Sequence, residues 1–343
     1  MTWGRSTARQ VGLLSLVFPI PTLFAVPATA DSARSAHREI RWEVISDLPQ
    51  SLGHVPIAFS KALLSASNGG MELAPVQSSA SMSQAARDVE AGKAELTLID
   101  NSVLGRNIRE LWLLELPYLF KDPEDASRTL NGDVGHQLLS HLRWEGLVGL
   151  CFIDGGFRVV AARRELRDPN DFRELRIRVR NTPVTKTFFR KLHVDPVPDL
   201  SFAGLPVETA GIDGVETTPA IWADEHHVEF PVLNVTQHSL WVLSIVANEK
   251  FFESLSRAEQ EALIRSARQV ATEERVRLAQ KTDRVLRLAS AKGERVIYLS
   301  EREHSRFAER SKAVYPAFPR LRVWVDRIRG TARQVPFAAP EDD

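Results

Sequence analysis

The chain has 343 residues, with 44 lysines and arginines against 44 aspartates and glutamates, and 43% of its residues are hydrophobic. This length is enough for two domains with separate cores, and the even charge balance argues against a nucleic-acid binder, which would carry a basic excess. The single cysteine, Cys151, excludes an intramolecular disulfide and a thiolate metal cluster.

Residues 1–30 have the pattern of a secretory signal peptide. Two arginines precede an apolar run at residues 11–26, and Ala28–Ala30 forms a small-residue cleavage site. Asp31 is then the expected first mature residue. A membrane anchor is the alternative, but the run is short and two prolines interrupt it. No later segment could span a bilayer, so we expect an exported, periplasmic protein that is not membrane-embedded.

The next part of the sequence alternates strand and helix patterns. Predicted strands are Glu39–Ile45, Met71–Val76 and Ala94–Ile99, and predicted helices are Pro56–Ala66 and Ser83–Glu90. Strands that alternate with helices predict a parallel, doubly wound sheet.

A pair of glycines then divides two further strand patterns. A helix is predicted at Glu124–Leu142, followed by a strand at Gly146–Ile153 and another at Phe157–Arg163. Gly155-Gly156 separates the two strands. Because glycine lowers the free energy needed for a bend, we expect the chain to cross between domains here and to form a hinge.

The stretch Asp168–Pro198 carries the strongest functional pattern. Asp168-Pro169 is typical of a helix start, and Leu175–Asn181 alternates apolar residues with arginines, as in a strand with one apolar face. A helix is predicted at Thr182–Leu192. Arginines at the carboxyl end of a strand, where a helix begins, suit an anion site, whereas a solvated edge strand is the structural alternative.

The C-terminal third predicts a long helix that lies across both domains. A capping box at Ser256–Glu259 begins it, and its apolar stripe continues to about Leu288. The other predictions in this third are a loop at Pro198–Pro219, two strand pieces around Gln237-His238 within Val232–Val246, a strand at Gly293–Leu299 and a helix at Glu301–Phe318.

The order of these elements resembles that of TRAP (tripartite ATP-independent periplasmic) transporter solute-binding proteins of the DctP-like family. The resemblance extends over roughly residues 40–325. The segments that carry it are 58–75, 88–98, Leu116–Phe120, Gly156–Arg158, Leu175–Asn181, Pro196–Phe202, Ile212–Glu216 and Thr236–His238.

The resemblance implies an α/β fold of the class II periplasmic binding-protein type, with two lobes, doubly wound sheets, a hinge and a long interlobe helix. We expect lobe I to comprise residues 31–155 and 242–290, and lobe II to comprise residues 156–241 and 291–330. Residues 331–343 are expected to form a flexible tail.

It also implies an extracytoplasmic receptor that binds an organic acid between its lobes and delivers it to the small and large membrane subunits of the transporter. Such receptors are not enzymes, and no cofactor or metal is expected. Two alternatives stay open: a periplasmic sensor that presents the bound acid to a signalling partner, and an exported enzyme on the same scaffold. C4-dicarboxylates, sugar acids, keto acids and aromatic acids all fit two arginines.

Matched position by position, the resemblance assigns Arg178 to the ligand carboxylate and Arg158 to a second basic position of the pocket. The remaining ligand-binding assignments are Asn181, Thr217, Phe202, Asp100 and Trp241, with Asp100 expected to face ligand hydroxyls. By pattern, Arg176 is expected at the surface and Arg180 at the pocket rim. Three departures bear on the pocket: the shortened segment Phe202–Gly211, Thr217 in place of asparagine, and the loop Ser78–Ser83 in place of a Leu-Gly pattern.

Overall fold

The strands of this chain form one mixed sheet. The computed structural model describes residues 37–46, 48–77, 81–199 and 211–330. The strands of these ranges are Arg38–Val44 (β1), Met71–Gln77 (β2), Leu96–Asp100 (β3), Leu147–Ala162 (β4), Arg176–Arg180 (β5), Asp195–Asp199 (β6), Gly214–Thr217 (β7), Val232–Asn248 (β8) and Arg295–Tyr298 (β9).

Helices cover the sheet. The α-helices of the described ranges are Val55–Ala66 (α1), Met82–Glu90 (α2), Asn101–Leu104 (α3), Pro123–Asn131 (α4), Asp133–Ser140 (α5), Pro183–Lys191 (α6), Pro219–Ile221 (α7), Glu249–Ser254 (α8), Arg257–Ala291 (α9), Glu301–Ser311 (α10) and Arg322–Ile328 (α11). A turn of π-helix at Trp222–His226 follows α7. Within these ranges, none of the helices combines the length and the apolar character that crossing a membrane requires.

The strand order divides the sheet into two lobes that share β4 and β8. The order is β2-β1-β3-β8-β4-β7-β5-β6, and β9 pairs with β8. β1 pairs in parallel with β2 and β3, and β5 pairs in parallel with β6 and β7. β4 and β8 are antiparallel to each other and run through both groups. The first lobe therefore contains β1–β3 and the second contains β5–β7 and β9, which confirms the two-lobe α/β architecture; the exact lobe boundaries stay a prediction.

β4 is continuous, so the prediction of two separate strands around Gly155-Gly156 is wrong. The glycine pair produces a register shift between Asp154 and Gly156 instead of a break. Gly156 has φ +94°, a conformation that suits glycine. β8 is likewise one strand, and Gln237 within it has φ +46°. These irregularities bend the two shared strands where they pass from one lobe to the other.

The long C-terminal helix is confirmed, and it packs on both lobes. Ser256 and Glu259 form the predicted capping box, and α9 continues to Ala291. In the first lobe its residues Leu263 and Val270 are buried in the same core as α1, and near its end Ala289 joins a second-lobe cluster.

Two other predicted helices are shorter than expected. Gly132 separates α4 from α5 inside the predicted helix Glu124–Leu142, because its backbone is extended there. The predicted helix Glu301–Phe318 ends at Ser311. Two short 3-10 turns follow it, each with a proline in its first turn, and proline cannot continue a helix interior.

Candidate functional site

Arginines from both shared and second-lobe strands line one pocket between the lobes. It lies where β3 and β5 end. Its cavity volume is about 70 Å³, counted as the space that the centre of a water molecule can occupy. Because one water needs roughly 10–15 Å³ by this measure, the pocket has room for several waters or a small organic molecule. Of the predicted site residues, Arg158, Arg178, Asn181, Thr217 and Trp241 line it.

The alternation predicted for β5 is confirmed, but the third arginine lies deeper than expected. Ile177 and Val179 are buried on the apolar face, whereas Arg176 is exposed and Arg178 is half-buried. Arg180 was expected at the pocket rim. It is only 9% exposed, because β5 ends against the first lobe and an acidic partner there holds its side chain.

Arg180 forms a bidentate ion pair with Asp100, which joins the two lobes. Nη1 of Arg180 donates to Oδ2 of Asp100 at 2.7 Å, and Nη2 donates to Oδ1. The backbone N–H of Ser102 donates to Oδ1 at 2.7 Å, and the indole N–H of Trp241 donates to Oδ2. Burial alone would raise the pKa of Asp100, but Arg180 and these hydrogen bonds hold it below its ordinary value.

Arg158 is a buried cation without an acidic partner in hydrogen-bonding distance among the residues that the structure describes. It lies in β4 and is 5% exposed, and its Nε has no hydrogen-bond partner among the described residues. Its guanidinium carbon lies 5.3 Å from the centre of the Trp241 ring, which favours a cation–π contact. Burial, and then the charge of Arg180, lower the pKa of Arg158 to about 10, so it stays protonated at neutral pH.

The floor of the pocket contains a second buried carboxylate, Glu216 in β7. Its Oε2 accepts from the backbone N–H of Arg180 at 2.9 Å, and its Oε1 lies 3.2 Å from Nε2 of His238. Nδ1 of His238 lies 2.8 Å from the hydroxyl of Thr236. Because the ionised carboxylate of Glu216 can only accept, Nε2 of His238 is assigned as the donor to it. Burial would raise the pKa of Glu216, but the charge of Arg158 and the hydrogen bond from His238 lower it to about 2.

Arg178 is held by a neutral histidine. Its Nη2 lies 3.2 Å from Nε2 of His226 in the π-helical turn. Burial, and then the charge of Arg178, lower the pKa of His226 to about 4. His226 is therefore neutral at pH 7 and its Nε2 accepts from Arg178. Close by, the side-chain oxygen of Asn181 accepts from Nζ of Lys186 at 3.0 Å.

A third carboxylate lies behind Arg180. Oε1 of Glu115 is 3.6 Å from Nη2 of Arg180, and Oε2 is buried without a hydrogen-bond partner among the described residues. Burial raises the pKa of Glu115 to about 7, although the charge of Arg180 acts against the rise. Glu115 is consequently the acid of this site that titrates near neutral pH.

Asp100 is the predicted residue whose geometry argues against ligand contact. It is fully buried, and its oxygens already accept four hydrogen bonds, so it has no position left to face ligand hydroxyls. Thr217 is 1% exposed, and its hydroxyl donates to the backbone oxygen of Thr218 at 3.4 Å. The predicted Phe202 lies outside the described residues.

Sequence reasoning missed two residues that shape the pocket, Glu115 and His226. Glu115 had no distinguishing pattern, since it lies in an apolar segment. His226 likewise has no sequence pattern that marks it as a pocket residue. In the described ranges there is no group of three or more histidine, cysteine or acidic side chains that could hold a metal ion. Arg180 had a usable signal, because it shares the arginine alternation of β5.

Sequence comparison connects this chain to solute-binding proteins. Residues 50–320 match the family model described as "DctP: Bacterial extracellular solute-binding protein, family 7". The chain is 31% identical over 178 residues to the 2,3-diketo-L-gulonate-binding periplasmic protein YiaO of Escherichia coli, covering 51% of this chain and 54% of that protein. It is 28% identical over 150 residues to the C4-dicarboxylate-binding periplasmic protein DctP of Rhodobacter capsulatus, covering 43% and 45%. The chain thus spans about half the length of the curated relatives it matches.

Solved structures share the fold. The sugar acid binding protein DctPAm of Advenella mimigardefordensis in complex with galactonate superposes with a TM-score of 0.78 at 22% identity, covering 87% of this chain and 99% of that one. A TRAP periplasmic solute binding protein of Sulfitobacter sp. NAS-14.1 with bound β-D-galacturonate gives 0.75 at 19%, covering 85% and 100%. The two-lobe fold is the fold of these binding proteins. With the family match over most of its length, the chain belongs to family 7 of the bacterial extracellular solute-binding proteins, the DctP family.

Proposed function

We propose that this protein is the extracytoplasmic receptor of a TRAP transporter and that it binds an organic acid in the pocket between its lobes. The observation that carries the proposal is Arg158, a buried guanidinium that faces the pocket without an acidic partner in hydrogen-bonding range among the described residues. A buried guanidinium with an unmade hydrogen bond is unfavourable, and a ligand carboxylate would accept that bond. Arg178 supplies a second guanidinium on the same pocket wall.

The strength of these contacts fits a closing receptor. Hydrogen bonds to charged groups contribute about 1.5–3 kcal/mol each, and a planar guanidinium matches a carboxylate with two of them. Shifting a lobe equilibrium from 1:99 to 99:1 needs roughly 5.5 kcal/mol of differential affinity. Two or three charged hydrogen bonds that form only when the lobes close are therefore enough.

The relatives support an acid as the ligand class. Names of related proteins include 2,3-diketo-L-gulonate and C4-dicarboxylates, and the similar solved structures hold galactonate and β-D-galacturonate. The same proposal includes delivery of the acid to small and large membrane subunits. It also includes the absence of enzymatic activity and lobe boundaries near residues 155 and 241.

Calorimetry with matched ligands tests the binding function. Organic acids of different lengths would be titrated into the protein, each beside a neutral analogue, such as galacturonate beside galactose. We expect at least one acid to bind in the micromolar range or tighter and its neutral analogue to bind at least 100-fold more weakly. Equal binding of acid and neutral analogue, or binding of no acid in a broad panel, would rule out the proposal.

Export is part of the proposal and has its own test. The charged start, apolar run and small-residue site of residues 1–30 match a signal peptide. N-terminal sequencing of the protein from the periplasmic fraction should give Asp31 as the first residue. An intact N-terminus in a membrane fraction would instead identify an anchor.

A further inference from the structure

Every acceptor position of Asp100 is occupied. An ionised carboxylate has about four lone-pair positions on its two oxygens. Here Oδ1 accepts from Ser102 and Arg180, and Oδ2 accepts from Arg180 and Trp241. Asp100 therefore has nothing left with which to accept a hydrogen bond from a ligand hydroxyl.

The neighbouring carboxylate, Glu216, is fully buried, and each of its oxygens accepts one hydrogen bond. Glu216 accepts from the backbone of Arg180 on one oxygen and from His238 on the other. Around it, the pocket is lined by the guanidinium groups of Arg158, Arg178 and Arg180. This part of the wall presents hydrogen-bond donors, and the side chains of its two acids are fully buried, with every oxygen already accepting at least one hydrogen bond.

We propose that Arg180 is a specificity-determining residue. By occupying the acceptor positions of Asp100, it makes this wall prefer acids that carry an oxo group as their second polar group. Acids that carry a hydroxyl at the same position bind more weakly. The proposal rests on the organic-acid binding function and deepens it. A carbonyl oxygen accepts from a guanidinium and has no proton of its own. A hydroxyl can accept the same bond, but its proton then lacks an acceptor, and burying an unsatisfied donor costs about 1–3 kcal/mol.

The selection applies to ligand oxygens near Arg180 and not to the whole pocket. Glu225 lines the other end, where its Oε2 lies 4.0 Å from Nε2 of His226, so a hydroxyl at that end meets a carboxylate. The position of the oxo group along the ligand therefore decides whether it is preferred.

Pairs of acids with one carbon skeleton test this in the wild-type protein. Calorimetry would compare pyruvate with lactate, acetoacetate with 3-hydroxybutyrate, and 4-oxopentanoate with 4-hydroxypentanoate. We expect the oxo acid of at least one pair to bind tenfold or more tightly than its hydroxy partner, which is about 1.4 kcal/mol. Hydroxy acids that bind as tightly as the oxo acids in all three pairs would overturn the inference.

Variants then assign the preference to Arg180. Arg180→Met frees Asp100 to accept from a hydroxyl, so the oxo-to-hydroxy affinity ratio should fall at least tenfold. Because this leaves a buried carboxylate without its partner, the double variant Arg180→Met/Asp100→Asn provides a neutral site, in which the ratio should fall to within threefold of one. Arg176→Met on the same strand is the control, since Arg176 is exposed and pairs with Asp195. Its ratio should equal that of the wild type.

The outcomes separate the inference from the function beneath it. An unchanged ratio in the double variant, with weaker binding of every acid, would give Arg180 a purely structural role and overturn the inference. Tight binding of a polyhydroxy acid by a protein that binds none of the six acids would also overturn it, yet leave the receptor function standing. Binding of no carboxylate at all would remove the receptor function first.

Discussion

Single charged residues decide what this pocket can hold. Its described side chains include four guanidinium groups, of which Arg106 donates to Ser83, Arg180 is paired with Asp100 and Arg178 contacts a neutral histidine. Arg158 is the one whose Nε is buried without a hydrogen-bond partner in the described ranges. Its guanidinium carbon lies 5.3 Å from the centre of the Trp241 ring, and this contact favours a defined position of the cation in the pocket.

Arg158→Met should weaken binding of the cognate acid by 10- to 150-fold, since a charged hydrogen bond contributes about 1.5–3 kcal/mol. Arg158→Lys keeps the charge but loses the planar fork, so its affinity for the acid should lie between those of the wild type and Arg158→Met. Calorimetry gives the affinities, and Arg128→Met, an exposed arginine of α4, serves as the control. Undiminished affinity in Arg158→Met would exclude Arg158 from the binding site.

Glu115→Gln should stabilise the protein at pH 8 and change little at pH 5. Burial raises the pKa of Glu115 to about 7 from an ordinary value near 4.5. The folded state thus binds a proton more tightly than the unfolded state does, and ionisation of Glu115 removes stability as the pH rises from about 4.5 to 7. Glutamine resembles the protonated form and is insensitive to this change.

The charged groups around Glu115 determine how its ionisation changes the free energy of unfolding. Arg180 lies at 3.6 Å, and the charges of Asp100 and Glu216 also act on it. Urea unfolding at both pH values gives the free energies, and the gain at pH 8 should be on the order of 1–3 kcal/mol, at about 1.4 kcal/mol per pKa unit. A variant that is destabilised equally at pH 5 and pH 8 would contradict the assignment of a raised pKa to Glu115.

At the scale of elements, the bend in β4 positions the pocket wall. A Cβ on Gly155 would lie 2.5 Å from the Cδ2 atom of Trp241, so the strand approaches β8 closely only because this residue has no side chain. Trp241 in turn donates to Asp100 and lies over Arg158. The glycine thereby sets the position of the indole on which both charged groups depend.

Gly155→Ala should lower the free energy of unfolding by about 1–3 kcal/mol, the usual range for overpacking a core, and should weaken acid binding because Trp241 must move. Gly53→Ala is the matched control: its φ of −59° suits alanine, and the added Cβ would meet only the carbonyl of Gln50 at 3.6 Å. Urea unfolding and calorimetry measure the two effects. Normal affinity in Gly155→Ala would show that the indole position does not matter for binding.

Sequence patterns predicted those elements whose signals are local. The capping box at Ser256, the apolar stripe of α9 and the alternation of β5 depend on neighbouring residues, and each is present in the structure. The continuity of β4 and β8 was missed, because a glycine pair and Gln237 look like strand ends unless the partner strand is known. Strand pairing depends on residues that are far apart in the chain, so local sequence patterns do not predict it.

At the scale of the whole molecule, individual pocket residues could be predicted from the segments that contain them, but contacts between the lobes could not. Arg178 and Arg158 were identified and do line the pocket. The role of Asp100 could not be read from the sequence, because it depends on Arg180 from the other lobe, 80 residues away in the chain. A contact across lobes depends on how the two parts of the sheet are placed, and neither local charge pattern nor helix spacing predicts this placement.

The two shared strands should make the lobes unfold together. β4 and β8 are paired from residues 147–162 with 232–248, and β3 of the first lobe and β7 of the second attach to them. Both lobes are attached to this one pair and lose their support when it breaks, so we expect one cooperative transition. Hydrogen exchange followed by mass spectrometry should give β1 and β5 the same free energy of opening.

A bound acid extends this argument, since it contacts both lobes and binds only the folded state. At about 100 times its dissociation constant it should raise the free energy of opening by about 2.7 kcal/mol, and by the same amount in β1 as in β5. Protection that rises in β5 alone would place the ligand on one lobe, because stabilisation confined to one part of a molecule indicates a separate unfolding unit. Equal protection in both strands would instead show that binding free energy acts on the molecule as a single unit, as the shared strands require.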